Sequence, residues 1–535
     1  MLTRNAAATA LFIAVSVAVS GDAGAAEGDA KAAGVSPGRF VTVQGERFID
    51  PDGRHLLLHG INVVDKSADW SQYGWLDEKG YAAMRDWGFN CVRLGFTWAS
   101  LEPDPGRYSE KCLAELEKRV QWAKKNGLYV MLDMHQDLFS MKYSDGAPEW
   151  ATLTDGKPHV AAGAVWSDAY FESQAVQTAF DNFWANKPAP DGVGIQDHYA
   201  EAWRRVAARF ANEEAVVGYD LMNEPFVGSL APQSMLMIVA KFAEVMAARQ
   251  GPDAPNAMEL MSQWGTDEGR AKILKLLTDP QVYGQVVDAA QPLFQEFERS
   301  NLTPMFQRVT NAIRREDKRH IIFLETSMSS NMGIRSGIEP VTDPNGQRDP
   351  QQAYAPHAYD LVTDTPGVDA PSNERVEFIL TRHAETAKRL GMPALVGEWG
   401  AYGQAKALAG AQFLCRQFEK LLLNDTYWTC IEHIEQSPTF PALVRPYPMA
   451  VCGTILEYSA EPQARKFTCR WKEDPAAKAD SRVFIPEAFG PSQARVKISP
   501  PGKGFTIQPV RNGSKSVYVI IPPAGGESER RLSLE

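Results

Sequence analysis

Two glutamates end apolar runs that lie far apart in the chain. Glu224 ends residues 216–224, and Glu398 lies in residues 393–400. An apolar run bounded by loop signals predicts a buried strand, so each glutamate is expected at the carboxyl end of a strand. Cleavage of a glycosidic bond needs one carboxyl group that donates a proton and another that attacks the sugar carbon. We therefore expect Glu224 to be the acid/base and Glu398 the nucleophile, and a separation of about 5 to 5.5 Å would predict retention through a covalent glycosyl-enzyme.

Other polar groups also stand at the ends of apolar runs. Arg93 could hold the charge of the nucleophile, and Tyr359 could donate a hydrogen bond to it and tune its pKa. The amide of Asn223 could bind a sugar hydroxyl beside the reacting carbon. His135 and His357 fall at strand ends, where a role in the site is favoured over a core hydrogen bond. Zinc would suit the histidines, but the sequence has no HExxH motif or compact ligand triad, so no metal ion is expected.

Aromatic and charged residues at or after the ends of predicted strands are candidates for binding sugar. Trp428, in the last predicted strand, can offer its ring face to the apolar side of a sugar ring. Trp399, beside the nucleophile, suits core packing equally well. Asp65 and Lys66 follow the first predicted strand and could bind sugar hydroxyls, with surface solvation as the alternative.

These residues belong to a regular alternation of strand-like and helical segments. Eight apolar runs are predicted as strands: residues 55–63, 91–96, 129–137, 216–224, 320–326, 354–359, 393–400 and 426–433. Residues 110–125 carry apolar side chains at helical spacing and stop before Gly127, as a helix should. The alternation predicts an α/β fold, a closed (β/α)8 TIM barrel. An open doubly wound sheet is the alternative, but no glycine-rich phosphate loop follows the first strand.

The pattern changes near residue 440. Short alternating runs at 465–468, 482–485, 494–498 and 517–520, separated by proline- and glycine-rich turns, predict a small antiparallel β-sandwich. We therefore expect a catalytic barrel over residues 39–440 and a C-terminal β-sandwich over residues 441–535. Residues 228–301 are an insert longer than a barrel connection needs. Its methionines and tryptophan suit either packing onto the barrel or a lid that grips a lipid tail.

The start of the chain predicts export. A charged start, an apolar stretch over residues 6–18 and the pattern Ala23-Gly24-Ala25 are typical of a secretory signal peptide, residues 1–25. Residues 26–38 are expected to be a disordered leader. Because no other stretch approaches the length of a transmembrane helix, we expect a secreted or periplasmic protein without a membrane anchor.

The amino-acid composition restricts the classes of partner that the protein is expected to bind. Of 535 residues 44% are hydrophobic, enough for a large core, and the net charge of -11 argues against a nucleic-acid partner. A monomer without a cofactor is expected.

The six cysteines have no CxxC spacing. Cys91 and Cys430 are expected as buried free thiols, and a bridge between Cys452 and Cys469 is one hypothesis.

Several of these motifs, taken together and in order, resemble one family. The resemblance to glycoside hydrolase family 5 rests on Asn223-Glu224-Pro225, Glu398-Trp399-Gly400, Arg93, residues 133–137 and residues 356–359. Within that family, residues 133–137 and 444–454, the latter with an Arg-Pro-Tyr-Pro segment, look like the endoglycoceramidase branch. The chain has Cys-Gly-Thr-Ile at residues 452–455 in place of the Ala-Gly-Thr-Pro expected there, and its insert is hard to match.

The resemblance implies a retaining enzyme that cuts between the glycan and the ceramide of a glycosphingolipid. It implies Glu224 as acid/base and Glu398 as nucleophile, with Arg93 and His357 in support. The sugar contacts that it implies are Lys66, His135, Asp137, Asn223, Tyr359 and Trp428. The expected partner is therefore a glycosphingolipid, and peripheral contact of the sandwich with membranes or micelles is a further hypothesis.

Two alternative functions remain at this stage. An endo-β-1,4-glucanase or mannanase on the same barrel would show an open cleft with several aromatic subsites. A non-catalytic glycan-binding protein at the cell surface would not need both glutamates, so their presence argues against it.

Overall fold

The computed structural model describes residues 39–163, 165–526 and 528–535. The predicted signal peptide and the predicted leader lie outside these residues. Three short strands open the described chain: β1 (Thr42–Gln44), β2 (Arg47–Ile49) and β3 (His55–Leu56).

A barrel of eight parallel strands follows. Its segments are β4 (His59–Val64), β5 (Cys91–Thr97), β6 (Tyr129–His135), β7 (Val216–Asp220), β8 (Ile321–Leu324), β9 (Gln352–Tyr354), β10 (His357–Ala358), β11 (Leu395–Val396), β12 (Glu398–Trp399) and β13 (Asn424–Tyr427). Their order is β11, β13, β4, β5, β6, β7, β8, β9, and the bridge from Tyr354 to Ala394 joins β9 to the segment before β11. The predicted barrel is thus confirmed, but the last strand, predicted at 426–433, is Asn424–Tyr427, so Trp428 follows the strand instead of lying on it.

Two predicted strands are interrupted. The run at 354–359 divides into β9 and β10 around Pro356, which has no backbone N–H to donate to the ladder. The run at 393–400 divides into β11 and β12, and β12 pairs with β10 so that His357 stands opposite Glu398. These breaks occur at the end of the barrel that carries the candidate site.

Helices surround the barrel. They are α1 (Glu78–Asp86), α2 (Trp98–Leu101), α3 (Glu110–Lys125), α4 (Ala169–Glu172), α5 (Gln174–Trp184), α6 (Ile195–Phe210), α7 (Ala231–Gln250), α8 (Ala257–Trp264), α9 (Asp267–Leu276), α10 (Pro280–Asp288), α11 (Gln291–Phe297), α12 (Thr303–Ile313), α13 (Asn373–Leu390), α14 (Leu408–Leu421) and α15 (Phe440–Leu443). In α3 the hydroxyl of Ser109 accepts the N–H of Cys112, and Leu116 and Val120 are buried toward the barrel. Gly127, at φ 67°, turns the chain from α3 into β6.

The C-terminal strands form two antiparallel sheets. They are β14 (Tyr447–Val451), β15 (Gly453–Glu461), β16 (Lys466–Glu473), β17 (Ser481–Ile485), β18 (Val496–Ser499), β19 (Thr506–Pro509), β20 (Val517–Ile521) and β21 (Glu529–Leu534). One sheet has the order β15, β16, β21, β18; the other has the order β1, β2, β3, β14, β17, β20, β19. The N-terminal strands therefore complete the C-terminal sandwich.

This shared sheet changes the first predicted strand. Residues 55–63 are expected as one strand, but His55 and Leu56 pair with β14 of the sandwich, and the barrel strand begins at His59. Phe48 of β2 packs near Phe323 of β8, with 6.0 Å between ring centroids, among the buried apolar residues at the amino end of the barrel. The sandwich and the barrel are thus joined through the N-terminal strands.

The cysteines carry no bridge among the described residues. All six belong to the described chain, and each is a buried free thiol, so the hypothesis of a bridge between Cys452 and Cys469 is wrong. The reason is register: Cys469 stands opposite Tyr458 in the β15–β16 pair, whereas Cys452 precedes β15. The expectation for Cys91 and Cys430 is met.

The insert is helical, comprising α7 to α11. Residues Gly228–Asp253, which include α7, are the one stretch in the described chain long and apolar enough to cross a membrane, and only 28% of its apolar window is buried. The expectation that no stretch after the predicted signal peptide approaches the length of a transmembrane helix is therefore wrong, because α7 is both long and apolar. The helix packs on α10 through one side, with Phe242, Val245 and Met246 buried.

Candidate functional site

The carboxyl ends of the barrel strands bring all ten predicted site residues to one end of the barrel. Arg93 lies on β5, His135 ends β6, His357 begins β10 and Glu398 begins β12. The remaining residues lie on the loops that follow β4, β6, β7, β10 and β13: Lys66, Asp137, Asn223, Glu224, Tyr359 and Trp428.

Arg93 is the buried centre of this cluster. Its side chain is fully buried, and its guanidinium contacts four carboxylates. The distances are 3.0 Å to Asp133, 2.9 Å to Asp220, 2.8 Å to Glu325 and 2.7 Å to Glu398. Burial and the charge of Glu325 raise the pKa of Asp220 well above its usual range, and the charge of Arg93 opposes that rise.

Both oxygens of Glu398 accept hydrogen bonds. Oε1 accepts from Nη1 of Arg93 at 2.7 Å, and Oε2 accepts from the hydroxyl of Tyr359 at 3.0 Å. Burial raises the pKa of Glu398, and the positive charges of His357 and Arg93 oppose that rise. Such a carboxylate is held in one orientation by donors that favour its charged form.

Glu224 sits on a strained backbone and has different partners. Its φ is 43°, in the left-handed region that non-glycine residues rarely adopt. Its Oε1 accepts from Nδ2 of Asn331 at 2.6 Å and lies 2.9 Å from Nδ1 of His357. The side chain is partly exposed, unlike that of Glu398. Accessibility at Glu224 suits a group that exchanges protons with a ligand and with water.

His357 lies between the two glutamates. Its Nδ1 is 2.9 Å from Glu224 and 3.6 Å from Oε2 of Glu398, and its Nε2 is 3.1 Å from Oε1 of Glu325. Burial would lower the pKa of His357, but the charges of Glu325 and Glu398 outweigh burial and raise it well above its usual value. The ring is therefore a cation that both catalytic candidates share.

Oxygens of Glu224, Glu398 and a nitrogen of His357 all lie within 4.8 Å of one another. The two carboxyl groups thus face each other at close range. This proximity matches the short separation of retaining glycosidases rather than the 6.5 to 9.5 Å of inverting ones.

His135 and Trp428 form the aromatic wall of the site. Their rings stack with centroids 5.4 Å apart and an interplanar angle of 12°. Nδ1 of His135 is 2.9 Å from Asp133, whose charge outweighs the effect of burial and raises the pKa of His135 to about 10. The buried ring of His135 supports the Trp428 ring by stacking on it, and its role as a sugar contact stays a prediction.

Lys66 and two aspartates form a charged corner beside Trp428. Nζ of Lys66 contacts Asp137, lies 3.5 Å from Asp145 and lies 5.1 Å from the centre of the Trp428 ring. Burial and the neighbouring charge of Asp137 raise the pKa of Asp145 to about 7, whereas the pKa of Asp137 falls because of Lys66. Polar groups held in this way suit the hydroxyls of a sugar.

Three clusters of ligand-type residues meet metal-binding distances: His135 with Asp137 and Asp145, Glu224 with His357 and Glu398, and Asp133 with Asp220 and Glu325. Each of these three clusters contains or adjoins a positively charged side chain. Arg93 stands among the third cluster, and Lys66 stands among the first. These side chains supply the positive charge that a metal ion would otherwise supply.

Four residues of the site were not predicted from the sequence: Asp145, Asp220, Glu325 and Asn331. Glu325 follows β8 and accepts the backbone N–H of Glu224 through Oε2 at 2.7 Å. The apolar run 320–326 carries this glutamate as the runs before Glu224 and Glu398 carry theirs, so the same signal could have found it. Asn331 reaches the site from the loop after β8, where no sequence signal marks it.

The comparisons with known proteins follow the same division of the chain. Residues 49–433 match the family Cellulase (glycosyl hydrolase family 5), and residues 445–527 match the glycoside hydrolase family 5 C-terminal domain. Solved structures of endo-glycoceramidase II from Rhodococcus sp. share the fold. The complex with ganglioside GM3 has 27% identity and a TM-score of 0.69, and the match covers 92% of this chain and 100% of that one.

Curated relatives give the same family. The endoglycoceramidase of Cyanea nozakii is 32% identical over 226 residues, which are 37% of this chain and 44% of the relative. Endoglycoceramidase I of Rhodococcus hoagii is 32% identical over 196 residues, 36% of this chain and 38% of the relative. These alignments span less than half the length of the curated relatives. Since the family match extends over most of the residues from the barrel's first strand to its last, the chain belongs to glycosyl hydrolase family 5.

Proposed function

We propose that this protein is a retaining glycoside hydrolase that cleaves the β-glycosidic bond between glycan and ceramide in glycosphingolipids. The observation that carries the proposal is the opposed pair of carboxyls. Glu398 is buried with a donor on each oxygen, and Glu224 is partly exposed, with an oxygen within 4.8 Å of one of Glu398. Two carboxyls with such different surroundings suit the two roles of a double displacement.

In the first step Glu398 attacks the anomeric carbon while Glu224 donates its proton to the glycosidic oxygen. The carbon–oxygen bond to the lipid breaks, and ceramide leaves as a neutral alcohol. The sugar is then held as an ester of Glu398. Arg93 and Tyr359 orient the attacking carboxylate, and Trp428 offers a ring face to the sugar.

In the second step Glu224, now a carboxylate, takes a proton from water. The resulting hydroxide attacks the anomeric carbon, the ester to Glu398 breaks, and the sugar leaves with the configuration it had in the substrate. Glu224 is protonated again, and the nucleophile is a free carboxylate held by Arg93. The cation of His357 stays beside both glutamates through the cycle.

Glycosphingolipid is the substrate that the relatives favour. Two curated relatives are endoglycoceramidases, and the Rhodococcus enzyme with a similar structure has been solved with ganglioside GM3. The charged corner of Lys66, Asp137 and Asp145 is suited to sugar hydroxyls, and Asn223 is held beside Arg93 at 2.9 Å. These contacts would bind the glycan side of the bond.

We place the lipid side, and contact with a membrane or micelle, at the insert rather than at the sandwich. The exposed large apolar side chains of α7 and α8 are Leu236, Met258, Met261 and Trp264, and Met258 is 81% exposed. The sandwich has one such residue among the described ones, Leu456. The insert begins at Gly228, shortly after Glu224 in the chain.

A sedimentation assay with phosphatidylcholine vesicles would test this contact. Met258→Ser with Met261→Ser should reduce the bound fraction severalfold, because each exposed methionine would bury its side chain in the lipid interface. The matched control is Leu456→Ser on the sandwich. Equal binding of both variants would contradict the proposal. Deleting the sandwich is a poor alternative, because β3 pairs with β14.

Export to the periplasm or the medium remains part of the proposal, on the basis of the signal-like start of the sequence. Fractionation of cells that express the full chain, with N-terminal sequencing of the product, would test it. A product that stays cytoplasmic and begins at Met1 would contradict it.

The substrate is tested by a panel of glycosylceramides beside cellulose and mannan. Release of ceramide with an intact glycan, and formation first of the β-anomer of that glycan, is the expected result. Hydrolysis of the polysaccharides alone would instead support the glucanase or mannanase alternative.

A further inference from the structure

Glu325 has contacts that binding of sugar does not explain. It follows β8 directly, and its side chain is 2% exposed. One of its carboxylate oxygens contacts the backbone of Glu224, and the other contacts two cations that serve the catalytic pair. A buried carboxylate is costly unless its contacts compensate for lost water, so this arrangement calls for a role.

The first contact fixes the backbone of the acid/base. Oε2 of Glu325 accepts the N–H of Glu224 at 2.7 Å, and Nε2 of Gln136 donates to the carbonyl oxygen of Glu224 at 3.0 Å. Both backbone polar groups of Glu224 are therefore bound by buried side chains. Since the left-handed conformation at φ 43° is unfavourable for a non-glycine residue, such bonds are needed to hold it. They also set the direction in which the Glu224 carboxyl leaves the chain.

The second contact joins the two glutamates electrostatically. Oε1 of Glu325 lies 2.8 Å from Nη2 of Arg93 and 3.1 Å from Nε2 of His357. The opposite side of Arg93 contacts Glu398, and the opposite nitrogen of His357 contacts Glu224. Glu325 thus stands behind both cations. Arg93 is also held by Asp133 and Asp220, so the orientation of His357 depends on Glu325 more than that of Arg93 does. The charge of Glu325, 3.1 Å from Nε2, is one cause of the raised pKa of His357.

We propose that Glu325 is a positioning residue for general acid catalysis: it holds the backbone of Glu224 directly and the Glu224 carboxyl through His357. The inference rests on the proposed double displacement but not on the lipid substrate. Without Glu325, Glu224 would still be the acid/base, but its carboxyl would no longer be held toward the glycosidic oxygen. The loss would therefore appear where a leaving group needs a proton, and little elsewhere.

Two substitutions separate the contributions of length and charge. Glu325→Asp keeps the charge, but its chain is one methylene shorter and cannot reach both Glu224 and the cations. Glu325→Gln keeps the length and can still accept the N–H of Glu224, but it turns an NH2 group or a neutral oxygen toward Arg93 and His357. We expect both variants to lose acid catalysis, and Glu325→Gln to shift the pH profile as well, because His357 loses the charge that keeps it protonated.

The experiment measures kcat/KM on aryl β-glycosides whose leaving groups range from dinitrophenol, which needs no proton, to unsubstituted phenol. The wild type should depend weakly on the leaving group. Glu325→Asp should lose about 10²-fold with phenol and less than about threefold with dinitrophenol, since general acid catalysis contributes about 10² to 10⁴. Glu224→Gln removes the general acid and therefore sets the largest loss of kcat/KM that the series can show.

Glu102→Gln is the matched control. Glu102 is also a buried carboxylate, bonded to Trp98 at 2.8 Å and to His198 at 2.9 Å, and it does not contact the catalytic residues. The Glu102→Gln variant should have a lower melting temperature but the same dependence of kcat/KM on the leaving group as the wild type. If neither Glu325 variant folds, Gln136→Leu should show the same dependence, with about a tenfold loss for phenol.

A uniform fall in rate for all leaving groups, or no fall, would overturn the role of Glu325. Failure of the wild type to release ceramide would instead count against the proposed substrate. The dependence of kcat/KM on the aryl leaving group can still be measured in that case, so the two failures are distinguishable.

Discussion

The hydroxyl of Tyr359 donates to Oε2 of Glu398 over 3.0 Å, a hydrogen bond that orients this oxygen and favours the charged form of the carboxyl. The other oxygen has Arg93 at 2.7 Å. Burial raises the pKa of Glu398, so these donors must offset the cost of a buried charge for the residue to act as a nucleophile. The balance between burial and the two donors determines the pH at which Glu398 is active.

Tyr359→Phe removes one donor and keeps the ring. The pKa of Glu398 should rise, because a hydrogen bond to the charged form is lost, and the acidic limb of kcat/KM should therefore move to higher pH. We expect a loss of about 10- to 100-fold at the optimum. The control is Tyr143→Phe, on the half-buried loop after β6. An unmoved acidic limb would contradict the assignment.

Asp137→Asn tests the charged corner. Lys66 would lose its main partner, while the Asn side chain keeps the shape of the loop. Because the corner is proposed to bind the glycan in both ground and transition states, KM should rise about tenfold and kcat should change little. Steady-state kinetics on a glycosylceramide would measure this. A fall in kcat at constant KM would place Asp137 in the chemistry instead.

Glu298 fastens the loop that carries Asn331. Its buried carboxylate accepts from Thr326 at 2.6 Å, from Ser327 at 2.6 and 2.9 Å, and from Ser336 at 3.0 Å, and it also contacts Gly337. Glu298→Ala should lower stability by about 2 to 4 kcal/mol, since several donors lose their acceptor.

The same variant should speed hydrogen exchange in residues 326–337 and lower kcat, because Asn331 would no longer be held on Glu224. Glu296→Ala, an exposed residue of the same segment, is the control and should change neither quantity. Faster exchange spread over the whole chain would refute a local effect.

Glu419 predicts a pH-dependent stability. It lies on α14 with 5% exposure and accepts the N–H of Ala460 in β15 at 3.1 Å. Burial raises its pKa from 4.5 to about 7, so the folded state holds a proton that the unfolded state releases between those values. The stability from this group is present below about pH 4.5 and is lost as pH rises through 7.

Glu419→Gln removes this dependence and keeps an acceptor for Ala460. Relative to the wild type, the variant should be near neutral at pH 4.5 and more stable at pH 8, by on the order of 2 kcal/mol. Urea unfolding at the two pH values would measure the difference. An equal difference at both values would show that the group does not titrate as its burial predicts.

Much of the barrel could be predicted from the sequence because each buried parallel strand is a compact apolar run. The runs that end in Glu224 and Glu398 identify two strand ends, and parallel strands bring such ends together without further information. The same reasoning places Arg93 and His357 in one cluster. It predicts the presence of Tyr359 and Trp428 in the site but not their distances from other groups.

The features that the sequence did not predict depend on long-range packing. The division of residues 55–63 arises because β3 pairs with β14, about four hundred positions later, and no local pattern records that pairing. Asn331 enters the site because Glu298 fixes its loop. The exposure of Met258 depends on how α8 packs on α7, since a methionine-rich helix can be a core element as easily as a surface one.

The most direct measurement of the central claim is hydrolysis of β-lactosylceramide in ¹⁸O-labelled water, with mass spectrometry of both products. We expect intact lactose that carries the label and ceramide that does not, because the bond between the anomeric carbon and the lipid oxygen is cleaved. Glu398→Gln should give neither product. Galactose with glucosylceramide, labelled ceramide, or equal turnover by Glu398→Gln would contradict the proposed cleavage between glycan and ceramide.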